Sequence, residues 1–132
     1  MDYAYTKQGN PARLRAPAES GDYELRYVHA YSSTVIGRAD IKVTPVHATV
    51  KAPAAAAVAS EFDVTWQGPA YKDDFISIAR SDQSPDENIN YTYTSDGSPL
   101  KLRAPSEPGT YEVRYILGYG HKLLAKKTIR IE

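Results

Sequence analysis

The feature that most constrains this sequence is that it repeats itself. Residues 3–43 align with residues 91–131 without a gap, at a constant offset of 88, and 17 of the 41 pairs are identical. The matches run from Tyr3/Tyr91, Tyr5/Tyr93 and Thr6/Thr94 through Gly9/Gly97, Pro11/Pro99 and the run Leu14–Pro17/Leu102–Pro105. They continue through Glu19/Glu107, Gly21/Gly109, Tyr23/Tyr111, Glu24/Glu112, Arg26/Arg114, Tyr27/Tyr115 and Tyr31/Tyr119 to Ile41/Ile129. Several mismatches are apolar exchanges, such as Leu25/Val113 and Val28/Ile116. A fixed-period self-match of this density marks a repeat architecture. The period predicts a module of about 88 residues, with residues 44–132 as one complete copy. Residues 1–43 then read as the C-terminal half of a preceding copy, and the chain as a fragment of a longer tandem array.

Inside the repeat, apolar residues recur at every second position, the pattern of strands with one buried face. Phe62, Val64 and Trp66 share one face against Glu61, Asp63 and Thr65. Tyr111, Val113, Tyr115 and Leu117 oppose Glu112 and Arg114, while Leu123, Ala125, Ile129 and Ile131 oppose Lys126, Thr128 and Arg130. Turn-forming clusters separate these runs at Gly68-Pro69, Ser95–Pro99, Pro105–Gly109 and Gly118–Gly120. The 11 Tyr residues, against two Phe and one Trp, agree with a β-rich chain. Only Ala52–Ser60 has strong helix propensity. It is too short to stand alone, and Pro53 ahead of it predicts an extended or single-turn connector.

About seven short strands at this spacing predict an all-β fold, an immunoglobulin-like antiparallel β-sandwich. The segment Glu107-Pro-Gly-Thr-Tyr111-Glu-Val113, echoed by Glu19-Ser-Gly-Asp-Tyr23-Glu-Leu25, has the form of a tyrosine corner. In that device a Tyr hydroxyl at the start of the sixth strand bonds to backbone upstream. Val113 and Leu25 stand where an antibody domain carries its second cysteine. The sequence contains no Cys at all, which excludes disulfides and thiolate metal sites.

Taken together, Val64-Thr-Trp-Gln-Gly-Pro69, Asp74-Phe-Ile-Ser-Ile78, Tyr91-Thr-Tyr-Thr94, Arg103-Ala-Pro105, Pro108-Gly-Thr-Tyr-Glu-Val-Arg-Tyr115 and Leu124-Ala125 resemble a known repeat. The chain is similar to the Ig-like repeats found C-terminal to von Willebrand factor A (VWA) domains in large bacterial proteins. The resemblance spans residues 44–132, with residues 3–43 matching its second half. It implies a periplasmic, cell-envelope or extracellular module without catalytic residues. The metal-ion-dependent adhesion site of such proteins lies in the VWA domain, so no ion-binding role transfers to residues of this chain.

Charge and composition narrow the function classes. Sixteen basic residues balance 16 acidic ones, which argues against a general nucleic-acid partner. No apolar run reaches the roughly 18–20 residues of a membrane helix, so membrane insertion is not expected. His29, His47 and His121 lie on separate segments without ligand spacing for zinc, which needs three or four convergent donors. The acidic residues Asp73, Asp74, Asp82, Asp86 and Glu87 flank one strand and are of the oxygen-donor type that calcium takes. No Asp-x-Asp-x-Asp-Gly loop orders them, and Asp74 also fits a turn residue bonding local amides. Paired carboxylates at roughly 5–10 Å would suit a glycosidase, but no His or Ser completes a catalytic constellation. The chain reads as a non-enzyme that needs no cofactor.

Two binding candidates remain. Tyr91 and Tyr93, echoed by Tyr3 and Tyr5, share one strand face with Asn88 and Asn90 nearby, and could stack a sugar or pack on a partner. Separately, the Asp73–Glu87 loops, with Asp73 and Asp74 at their start, are the candidate donors for calcium. Arg103, Glu112 and Arg114, repeated as Arg15, Glu24 and Arg26, read as an outward ion ladder between strands. The leading functional reading is therefore a structural or adhesion-type spacer. The alternative is an accessory ligand-binding module for glycan or calcium. Finally, residues 3–43 carry about four strands' worth of apolar positions, among them Leu14, Tyr23, Leu25, Tyr27, Val35, Ile41 and Val43. About 40 residues cannot normally build a core alone. This predicts a homo-oligomer through residues 3–43, by self-pairing or strand exchange.

Overall fold

The computed structural model describes residues 2–132, which divide into two compact units, the first ending at Pro45 and the second spanning Val46–Glu132. Among the described residues the regular structure is almost entirely strand. The only helical pieces are single 3-10 turns at Thr6–Gln8 and Thr94–Asp96, and no helix is long and apolar enough to cross a membrane.

The first unit is a hairpin of β1 (Gly21–His29) and β2 (Thr34–Val43). The second contains β3 (Thr49–Lys51), β4 (Ala55–Ala56), β5 (Glu61–Gln67), β6 (Phe75–Ala79) and β7 (Asn90–Tyr93), followed by β8 (Leu100–Arg103), β9 (Gly109–Ile116) and β10 (Leu123–Ile131). It forms two sheets, β3-β5-β8 and β4-β10-β9-β6-β7. Their inner faces meet in one core: Val50, Phe62, Val64, Leu100 and Leu102 from the first sheet, and Ile76, Ile78, Val113, Tyr115, Ile129 and Ile131 from the second. The period-two pattern thus does what it predicts, giving a β-sandwich with antiparallel sheets. The alanine-rich stretch is extended rather than helical. Ala55 and Ala56 pair parallel to the end of β10, completing an edge that the sequence did not reveal.

The internal repeat extends to hydrogen-bonding detail. Gly21 faces Val43 as Gly109 faces Ile131, and both hairpins slip register at the same place, after Tyr27 and its counterpart Tyr115. Both tyrosine corners form: the hydroxyls of Tyr23 and Tyr111 each donate to the carbonyl of Glu19 or Glu107 at 2.8 Å. The Tyr111→Phe substitution is expected to lower stability by about 0.5–1.5 kcal/mol, the net worth of one such bond. Denaturant unfolding checks this, and an unchanged midpoint would deny the corner an energetic role.

Two expectations need correction. Residues 3–43 do not contain about four strands; only β1 and β2 form. The segments equivalent to β7 and β8 remain irregular, because in the second unit those strands owe their ladders to β6 and β5. The outward ion ladder is also not a simple exposed array. Arg114 is buried at 3% exposure, and its guanidinium donates to Glu112 two residues away on the same strand. It also reaches the carbonyls of Arg80 and Ser84, so the β6–β7 connection lies over this sheet face. Across strands, Lys126 pairs with Glu112 at 3.4 Å. Arg103 instead caps the carbonyl of Ala59.

Candidate functional site

The connection between β6 and β7 builds one side of a groove on the outer face of the five-stranded sheet. Two successive turns shape it. Gln83 returns its side-chain oxygen to the amide of Arg80, and Glu87 does the same for Ser84. Arg114 holds both turns down from below, and Asp86 then meets His121 from the β9–β10 loop at 2.6 Å.

The opposite side rests on Asp74. Its carboxylate is 1% exposed. One oxygen accepts the hydroxyl of Tyr115 at 2.7 Å and the amide of Tyr71 at 2.9 Å, and the other accepts the amide of Gly118 at 2.8 Å. The Tyr115 oxygen in turn accepts the amide of Ala70. Burial first, and then the bond to Asp74, push the Tyr115 phenol well above its ordinary range. The network therefore ties the β5–β6 loop, strand β9 and the β9–β10 loop together. Two glycines permit it. A Cβ on Gly68 would stand 2.7 Å from the Tyr115 ring, and one on Gly118 would overlap the backbone of Asp73.

Between these supports lies a groove of about 340 Å³. Phe75 is buried beneath it, and Tyr91 and Tyr93 stand half-exposed at its wall. Strand register explains the grouping: Tyr93 is the ladder partner of Phe75, and Tyr91 of Ser77, so alternation sends all four to the same face. The rings pack edge to face, with centroids 5.4 Å apart for Tyr91–Tyr93 and 5.6 Å for both Phe75–Tyr91 and Phe75–His121. Asp73, Asp86 and Asn88 complete the lining. Asp73 and His121 both adopt left-handed backbone, with φ of 67° and 49°, a conformation uncommon for non-glycine residues. The Tyr93 phenol is held above its usual range chiefly by its contact with Tyr91 and more weakly by the negative charge of Asp73.

Of the four residues singled out from the sequence, the structure brings Tyr91, Tyr93 and Asp73 together at this groove. Asp74 is not there. Its oxygens face inward and are committed to three internal donors, as the turn reading anticipated for the amide of Tyr71. Of the other acidic residues, Glu87 closes a turn, while Asp86 joins the groove lining and engages His121. Among the described residues no three His, Asp or Glu side chains gather as a metal cluster would require. His121 and Phe75 escaped the sequence reading. No local signal marks them, because their approach depends on which loops the sheet order places side by side.

The chain matches no family model, no curated protein and no solved structure. Functional inference therefore rests on the groove, on the two hairpins and on the sequence resemblance.

Proposed function

We propose that this chain is a non-catalytic structural and interaction module of a tandem-repeat bacterial envelope protein. The resemblance to Ig-like repeats that follow VWA domains supports it. The sheet order agrees with an immunoglobulin-like reading, since β9 and β10 pair next to β6 while β5 pairs with β8 in the facing sheet.

The carrying observation is the contrast between two equivalent hairpins. In β9 and β10 the inward residues Val113, Tyr115 and Ile129 are each 0% exposed, whereas their counterparts Leu25, Tyr27 and Ile41 are 41%, 53% and 42% exposed. Each such side chain forgoes part of the roughly 1.5–3 kcal/mol that full burial supplies. The face is built for contact. Residues 46–103 are the surface that covers such a hairpin in the second unit, and each chain holds one such surface and two hairpins. Exchange between copies therefore leaves as many hairpins uncovered as before. In a tandem array the front half of the preceding module would cover this face. For residues 1–132 by themselves, pairing with the same face of a second copy removes the exposure, and such a contact closes naturally with two-fold symmetry.

Light scattering on the full chain at micromolar concentration is expected to give at least twice the 14.6 kDa of the monomer. Placing a charge in the face, as in Leu25→Lys, should return it to monomer. A wild-type monomer would overturn the self-pairing.

A further inference from the structure

The groove in the second unit has a shape and charge that core packing does not account for. Its rings pack edge to face on one another, at 63° for Phe75 and Tyr91, 80° for Tyr91 and Tyr93, 84° for Phe75 and Tyr93 and 88° for Phe75 and His121. A sugar ring stacks best on a flat aromatic platform, which this arrangement does not offer. The exposed sides of Tyr91 and Tyr93 beside a small volume instead suit a compact, rounded group. The electrostatics point the same way. Asp73 and Asp86 contribute carboxylates to the lining, to which no Lys or Arg belongs. The only base there is His121, already engaged by Asp86 at 2.6 Å. With Asp86 taken up by His121, Asp73 is the carboxylate whose charge is felt at Tyr93, and a carboxylate beside π-faces attracts positive charge.

We propose that this groove binds a small organic cation of the alkylammonium class, seated against the exposed sides of Tyr91 and Tyr93 and facing Asp73. The assignment is independent of the assembly proposed above, because no residue of the first hairpin takes part. A quaternary ammonium is the best fit within the class. It has no N–H to satisfy, so it loses little hydration on settling against aromatic rings.

Titration of the full chain with choline, followed by NMR of the tyrosine and histidine ring resonances, tests this. Shifts centred on Tyr91, Tyr93 and His121 should saturate. The neutral isostere 3,3-dimethylbutan-1-ol has the same shape without the charge, and should bind about tenfold more weakly. Tyr91→Leu should abolish saturation, and because Tyr91 is half-exposed the sandwich should tolerate it. Asp73→Asn should weaken binding several-fold while keeping the turn, since Asn accepts left-handed backbone readily. Equal binding of the isostere, saturation unaffected by Tyr91→Leu, or preferential binding of N-acetylglucosamine would each overturn the proposal. So would the absence of saturation at ~50 mM choline, a concentration beyond any specific small-ligand affinity of this kind.

Discussion

Replacing Asp74 with Ala is expected to cost about 3–5 kcal/mol of stability, a large share of the 5–15 kcal/mol typical of a domain. The loss is not that of one contact. It leaves the Tyr115 hydroxyl and the amides of Tyr71 and Gly118 without their acceptor, at roughly 1–3 kcal/mol for each donor that water cannot reach. Denaturant unfolding should show a lower midpoint at an unchanged slope. Tyr115→Phe should cost less, because it removes one donor to Asp74 and the acceptor for the amide of Ala70. The double variant should fall short of the sum, since both residues serve one network. A drop below about 1 kcal/mol for Asp74→Ala would show that the three donors find other partners. The network also has a pH signature. With its phenol pKa raised by burial and by the bond to Asp74 above the ordinary tyrosine value of about 10, Tyr115 stays protonated in the folded state while the unfolded chain ionises. Its contribution is complete below about pH 10 and declines as pH rises above it.

Arg114→Ala is expected to cost about 2–4 kcal/mol and, more tellingly, to free the β6–β7 connection. Breaking a buried ion pair costs roughly 3–5 kcal/mol when the remaining charge is stranded. Here the figure is lower because Lys126 still faces Glu112. The carbonyls of Arg80 and Ser84 lose their donor at the same time. Hydrogen exchange should therefore rise across residues 80–89 before the sheets themselves loosen. Arg26 is the counterpart in the first hairpin. Its side chain is 58% exposed and also reaches Glu24, so Arg26→Ala should change stability by under about 0.5 kcal/mol. Equal effects at the two positions would contradict the anchoring role of Arg114.

Much of the architecture was legible in the residues. Alternation identified β5, β9 and β10 and most of their buried faces, because a pleated strand turns successive side chains to opposite sides. At the bulge in β10, Leu124 rather than the expected Leu123 packs on the core. The spacing Glu107-x-Gly-x-Tyr111 revealed the corner, because its bond runs between residues only four apart. Tyr91 and Tyr93 were visible as a pair for the same period-two reason. Such features are local, and a sequence records local geometry directly.

Arg114 shows where that reading stops. Alternation correctly put it on the outer face, yet the outer face is covered by a loop whose path depends on bonds to a strand 30 and more residues away. Asp74 read as one acid of a loop cluster or as a turn residue bonding local amides, and only the approach of Tyr115 and Gly118, over 40 residues along the chain, turned it into a buried junction. His121 joined the groove in the same way, through Asp86. By itself the sequence determined the main strands of the second unit, most of their faces, the repeat and the corners, all set by period and short-range spacing. The tertiary structure decided which polar side chains are interior, which loops cover the sheet and which aromatic and acidic residues share a groove. Those outcomes depend on sheet order and on loops meeting across long separations, where the free energy lies in desolvation and hydrogen bonding that no local pattern encodes.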